Sequence, residues 1–206
     1  MGVGFEHRRN ILTAHSLFLN ESYEIEKAIY NTKWDNLYVS PADPLFEHQR
    51  SGERKDILKN ALMNSKLSFD FIIIDTAPSL DNLLINALVA SDFVLIPFQP
   101  HFLSIEGIRA LARVFFRIAS TENPNLKLLG LIPVMLNLRI HHQSRVTENL
   151  STNFGREKIL PGIRVDIKVV EAFEHRMPLR FYAPTSRASQ DFKFLSNEIL
   201  NRINLL

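Results

Sequence analysis

The chain has 206 residues, a formal net charge of +2, 46% apolar and 22% charged residues, and no cysteine. That length suffices for one sizeable core, taken as a single domain over residues 1–206. The apolar runs are too short to span a bilayer, no secretory n-region precedes an apolar h-region, and disulfides and thiolate metal sites are excluded, so a cytoplasmic protein is expected.

In chain order, the apolar run "NLYVS" over 36–40 leads into the turn cluster Ser40-Pro41-Ala42-Asp43-Pro44. The run "FIIID" over 71–75 stops at Ala77-Pro78-Ser79. Leu80, Leu83, Leu84, Ala87 and Leu88 then repeat at helical spacing, followed by the run "FVLIPF" over 93–98. Ile105, Ile108, Leu111, Ala112, Phe115 and Ile118 form a second helical stripe, which ends in the turn cluster 121–125. The run "KLLGLIPVML" over 127–136 precedes a third stripe of Val146, Leu150 and Phe154. Phe192, Leu195, Ile199 and Ile203 mark a last helix. The four apolar runs show little polar alternation, which suits strands buried on both faces. The pattern predicts an α/β fold, three-layered and doubly wound, with a mostly parallel sheet and helices on both faces. Ligands in such folds sit outside the carboxyl ends of the strands, where Asp75 stands.

Four apolar residues ending in Asp75 and followed by Thr-Ala-Pro form a Walker B pattern. A hard divalent cation takes oxygen ligands, and Mg²⁺ keeps several waters, so one carboxylate on a strand end can hold it through water. The competing reading makes Asp75 a cap of the following turn or helix. The phosphate-binding loop G-x-x-x-x-G-K-[ST] has no match, because none of the seven glycines precedes Lys-Ser or Lys-Thr.

The stretch "FDFIIIDTAPSLDNLLINALVASDFVLIPFQPHFLSIEGI", 69–108, closely resembles the ParA/Soj partition ATPases, relatives of MinD within the deviant Walker P-loop NTPases. "LLGLIPVML" and "VVEAFEHRMPLRFYAPTSRASQDFKFLSNEIL" resemble the strand and the end region of the same family. Similarity runs over most of 30–203 and is weaker around 139–163. The family pattern opens with a strand and a K-G-G-x-G-K-[ST] loop, then a strand ending D-x-D-P-Q; Met1-Gly2-Val3-Gly4 resembles the small-residue stretch that follows. The expectation is therefore a chain lacking the amino-terminal P-loop segment. The missing strand would lie beside the Asp75 strand and leave unpaired edges.

The resemblance implies ATP and Mg²⁺ as cofactors of the complete family member. It makes Asp75 the catalytic residue that steadies hydrated Mg²⁺, and Thr76, Ala77 and Pro78 the switch after it. Asn137 falls where the family closes over the base, and Asp166 where an adenine-contacting Asn is common; "IRVDIK" departs from that pattern. The resemblance further implies an ATP-dependent homodimer that binds non-specific DNA, associates with the nucleoid and is stimulated by a ParB-like partner. The DNA-binding candidates are Arg139, Arg145, Arg164 and Lys168, with Arg176, Arg180 and Arg187 extending them. Residues 126–206 hold 12 Lys and Arg against 7 Asp and Glu, whereas 1–125 hold 12 against 15, a distribution read first as a solvated surface and second as a face for a polyanion. Arg109, Arg113 and Arg117 line one helix face, read as solvated, and His141-His142 has no partner at metal-ligand spacing. Two alternatives stand beside partitioning: a non-catalytic DNA- or partner-binding module, and a MinD-like positioning protein. Membrane attachment is disfavoured, because the amphipathic tail "FKFLSNEILNRINLL" is poor in Lys and Arg.

Overall fold

The computed structural model describes residues 11–20, 22–77, 79–137 and 139–204, which gather into two compact units. The first comprises 11–92 with Val114–Leu126, and the second comprises Phe93–Arg113 with Lys127 to 204.

The first unit begins with the single turn α1 (Ser16–Leu19), the hairpin strands β1 (Tyr30–Asn31) and β2 (Tyr38–Val39), and the helices α2 (Ile57–Met63) and α3 (Asn82–Ala90). Leu17, Ile25 and Ile57 form its buried centre, packed by Phe18, Leu58, Ala61, Leu62 and Leu67. A buried amide ties the helices. Asn86, fully buried, donates from Nδ2 to the carbonyls of Arg54 (2.7 Å) and Asn82 (3.0 Å), and its Oδ1 accepts the Leu58 N–H at 3.2 Å. Asn123 does the same for the end of α3, donating to the carbonyls of Leu88, Val89 and Ser91 at 3.1, 3.3 and 2.7 Å. Each amide satisfies backbone groups that are costly to bury unpaired.

The second unit is the doubly wound α/β layer arrangement. It holds β3 (Phe93–Phe98), the start of α4 (Phe102–Thr121), β4 (Lys127–Pro133), α5 (His141–Phe154), α6 (Ile167–Glu174), α7 (Leu179–Tyr182) and α8 (Arg187–Asn204). Strands β3 and β4 pair in parallel, in register from Phe93↔Lys127 to Phe98↔Pro133, with a shift between Val94 and Leu95. The segment 159–165 adds a third parallel run along β4. Leu160 N–H donates to Leu131 O (2.9 Å), Ile163 N–H to Pro133 O (2.8 Å), and Val165 N–H to Leu136 O (3.0 Å). Successive side chains on a strand point to opposite faces. Ile96, Phe98 and Leu131 accordingly pack on Ile105, Ile108, Val146 and Leu150 from α4 and α5. Ile132 packs on the other side with Leu160, Ile163, Ala188 and Leu195, joined by Val169 of α6. Gly130 permits the close approach of 158–160, since a Cβ there would meet Leu160 Cδ1 at 2.7 Å and the Lys158 carbonyl at 2.8 Å.

Two expected strands differ. "NLYVS" supplies β2, which pairs antiparallel with β1 in a two-residue hairpin and leaves Tyr38 exposed rather than buried on both faces. "FIIID" forms no strand, and Ile73 is 92% exposed beside Phe71 and Ile72. Among the described residues no strand lies beside it, so its N–H and C=O groups have no ladder and its side chains no layer to bury against. Of the predicted stripes, α4 and α5 hold as read, while Leu80 lies exposed ahead of α3 and Phe192 is exposed on α8.

Asn86→Ala strands the Leu58 N–H and removes one of the two side-chain donors to the Arg54 carbonyl, which keeps Asn82 Nδ2, and is expected to cost about 1–3 kcal/mol, read as a lowered urea midpoint at unchanged slope. Gly130→Ala, which must push backbone as well as Leu160, is expected to cost about 1–3 kcal/mol in the same assay.

Candidate functional site

Asp75 and Thr76 belong to the first unit, are exposed, and lie in the irregular stretch ahead of α3; Pro78 falls outside the described residues. The cap of α3 is a different carboxylate. Asp81 Oδ1 accepts the N–H groups of Leu83 and Leu84, both at 3.1 Å, and its Oδ2 accepts the Ser79 hydroxyl at 2.8 Å. With helix capping assigned to Asp81, Asp75 has no hydrogen bond or ion pair to any described residue. Its carboxylate is exposed. Among the described residues no three His, Cys, Asp or Glu side chains gather, so a bare ion would find no cage here. One carboxylate and one hydroxyl suit a Mg²⁺ that keeps its waters, but they do not cradle a triphosphate, and no glycine-rich loop with its lysine occurs in the sequence. The residues present therefore fit part of an ATP–Mg²⁺ site and not the whole.

The remaining candidates belong to the second unit. Asn137 follows β4 and closes the turn before α5. Its N–H donates to Gln143 Oε1 (2.8 Å), and its Oδ1 accepts the Arg139 N–H (3.1 Å) in an Asx turn. Its carbonyl oxygen is committed locally, which makes the side chain a turn-former in this state. Arg139 and Arg145 are exposed, with no ion pair among the described residues.

Arg164, Asp166 and Lys168 come together at the entry to α6, in a cluster of carboxylates that no local sequence pattern announced. Asp166 is a double cap: Oδ1 accepts the Lys168 N–H at the start of α6, and Oδ2 accepts the Ala188 N–H at the start of α8, each at 3.1 Å. These bonds, from Ala188 first and Lys168 second, hold its carboxyl below the usual range. That use accounts for the Asp in "IRVDIK" without a purine base. Arg164 is clamped by Asp191 of α8, with Nε to Oδ2 at 2.9 Å and Nη2 to Oδ1 at 2.7 Å. Its own N–H also donates to Oδ2 at 3.0 Å. The guanidinium hydrogen bonds hold the Asp191 carboxyl low, against the opposing effect of its partial burial. Lys168 Nζ meets Glu171 Oε2 at 2.7 Å, and the Tyr182 hydroxyl donates to the same oxygen at 2.9 Å. The Lys168 and Tyr182 donors lower the Glu171 carboxyl.

A family model described as an AAA domain matches residues 1–128. A ParA family protein of Chlamydia muridarum is 32% identical over 192 residues, covering 90% of this chain and 74% of the relative. The chromosome-partitioning ATPase Soj of Treponema pallidum is 29% identical over 93% of this chain and 77% of its own length. Among solved structures, an ATP complex of a McdA variant from Cyanothece superposes with a TM-score of 0.84 at 18% identity, covering 98% of this chain and 79% of the other. That likeness shows the fold.

The lowered carboxyls set an acid limit. A carboxylate whose folded pKa lies below its unfolded value of about 4 stabilises the fold above that value. The contribution is lost as pH falls through the folded pKa. Wild-type protein is therefore expected to lose thermal midpoint below about pH 4, and Asp191→Asn to start from a lower midpoint at pH 7 and lose less on acidification. Equal losses in the two proteins would show that the Arg164–Asp191 pair contributes nothing to the acid transition.

Proposed function

The chain belongs to the ParA family of partition ATPases, and on that premise we propose that it acts in DNA partitioning as a cytoplasmic, nucleoid-associated protein. In this reading a homodimer holds duplex DNA without sequence preference and answers to a ParB-like partner. Asp75 carries the reading on the nucleotide side: it stands at the Walker B position, and the neighbouring helix is capped without it. In a complete nucleotide site, Asp75 would hold Mg²⁺ through the ion's waters, and the ion would supply charge neutralisation at the phosphates. Asp75 would orient the ion's waters, and Thr76 would lie next to it. DNA is held by cations on a rigid frame. Arg139 and Arg145 stand open, while Lys168 is exposed and shared with Glu171.

A second reading is a ParA-like module that binds DNA or a partner without turnover, since within this chain Asp75 and Thr76 supply only part of a nucleotide site. The two separate cleanly. Phosphate release from ATP by this chain is expected to be indistinguishable from an Asp75→Ala variant, with or without DNA; ordinary turnover that Asp75→Ala abolishes would restore the catalytic reading.

Binding to a random-sequence duplex is expected to weaken steeply with salt. Arg139→Gln and Arg145→Gln should each flatten the slope of log K against log salt by about one, and Lys168→Gln by less, because Glu171 already shares its charge. Slopes unchanged in all three would place the DNA surface elsewhere.

A further inference from the structure

We propose that Asp191 is an internal counter-ion occupying a phosphate seat built around Arg164, so that Arg164 joins the polyanion surface only when Asp191 gives way. The inference rests on the polyanion reading above and adds its regulation.

The seat is defined by its donors. Nε, Nη2 and the backbone N–H of Arg164 converge on one carboxylate at 2.9, 2.7 and 3.0 Å. Two parallel guanidinium donors plus a backbone N–H is a donor set that phosphate oxygens accept equally well. The seat is also in the right place. Arg164 bridges to Leu136, the residue immediately before the Asn137–Arg139 turn, and lies four residues ahead of Lys168. It thus lies within the row of candidate cations, yet its charge is cancelled.

The cancellation is local. Among the described residues, Asp166 also acts on Arg164 and Arg187 on Asp191, each with the opposite sign. Asp166 is anchored away from that role by the Lys168 and Ala188 N–H groups that its oxygens accept. The guanidinium is the more open partner, with 33% of the Arg164 side chain exposed against 14% of Asp191. A phosphate therefore reaches Arg164 from solvent. Asp191 can release without undocking α8, whose first turn stays tied through Ala188 to Asp166 and whose Leu195 stays buried.

The test measures affinity for a random-sequence duplex against salt in wild type, Arg164→Gln, Asp191→Asn and the double variant; Asp191→Ser substitutes if the Asn variant does not fold. Wild type and Arg164→Gln are expected to share one slope. Asp191→Asn should bind more tightly with a slope steeper by about 0.9, one more phosphate neutralised, and the double variant should return to the wild-type slope. A slope that Arg164→Gln flattens in the wild-type background, or that Asp191→Asn leaves unchanged, overturns the proposal. If no variant binds duplex, the polyanion reading fails by itself, and inorganic tripolyphosphate then decides the seat. It should raise the thermal midpoint of Asp191→Asn and not of the double variant, and equal shifts would overturn the proposal.

Discussion

The second unit depends on β4 being hydrogen-bonded to β3 and also to the 159–165 run. This pairing fixes the strand direction and forces its side chains alternately into two layers. Leu131 then serves α4 and α5, and Ile132 serves α6 and α8. The cation-bearing loops are positioned as a consequence: the Asn137–Arg139 turn leaves the end of β4, and Arg164 sits on the run bonded beside it. Gly130 is the local requirement for that second pairing, because any side chain there would hold 158–160 away.

The same constraint explains where the sequence was legible. "FVLIPF" and "FIIID" are equally apolar and were read alike, yet only the first has a partner strand among the described residues, and only the first is a strand. Hydrophobicity selects residues that are able to lie in a buried sheet, but the ladder decides whether they do. The stripes of α4 and α5 were readable because helical spacing is internal to one segment. The cluster at α6 was not, since Arg164 and Asp191 are 27 residues apart and meet only after α8 docks. Asp166 ahead of "IKVVEA" carried a local capping signal; its second role, at α8, had none.

Assigning each carboxylate its donors also narrows the electrostatics. Asp81, Asp166, Asp191 and Glu171 are each committed to backbone or side-chain hydrogen bonds. Asp75 has no such bond among the described residues, which is compatible with the cation-linked role proposed for it. Conversely, the excess of cations in residues 126–206 overstates the free positive surface, because Arg164 and Lys168 each share their charge with a neighbouring carboxylate.

Binding and turnover make different demands on such a frame. Neutralising phosphates needs only cations held at the surface of a well-packed body, and displaced counterions supply much of the free energy. Turnover needs the reacting groups within a fraction of an ångström, together with donors for every phosphate oxygen. The described residues meet the first demand through the three-layer packing of β3, β4 and their helices. Asp75 meets a single part of the second, from a stretch that has no ladder to hold it. Under the proposed reading, DNA binding asks the less of this frame, and the Arg164–Asp191 pair would be the point at which that binding is restrained.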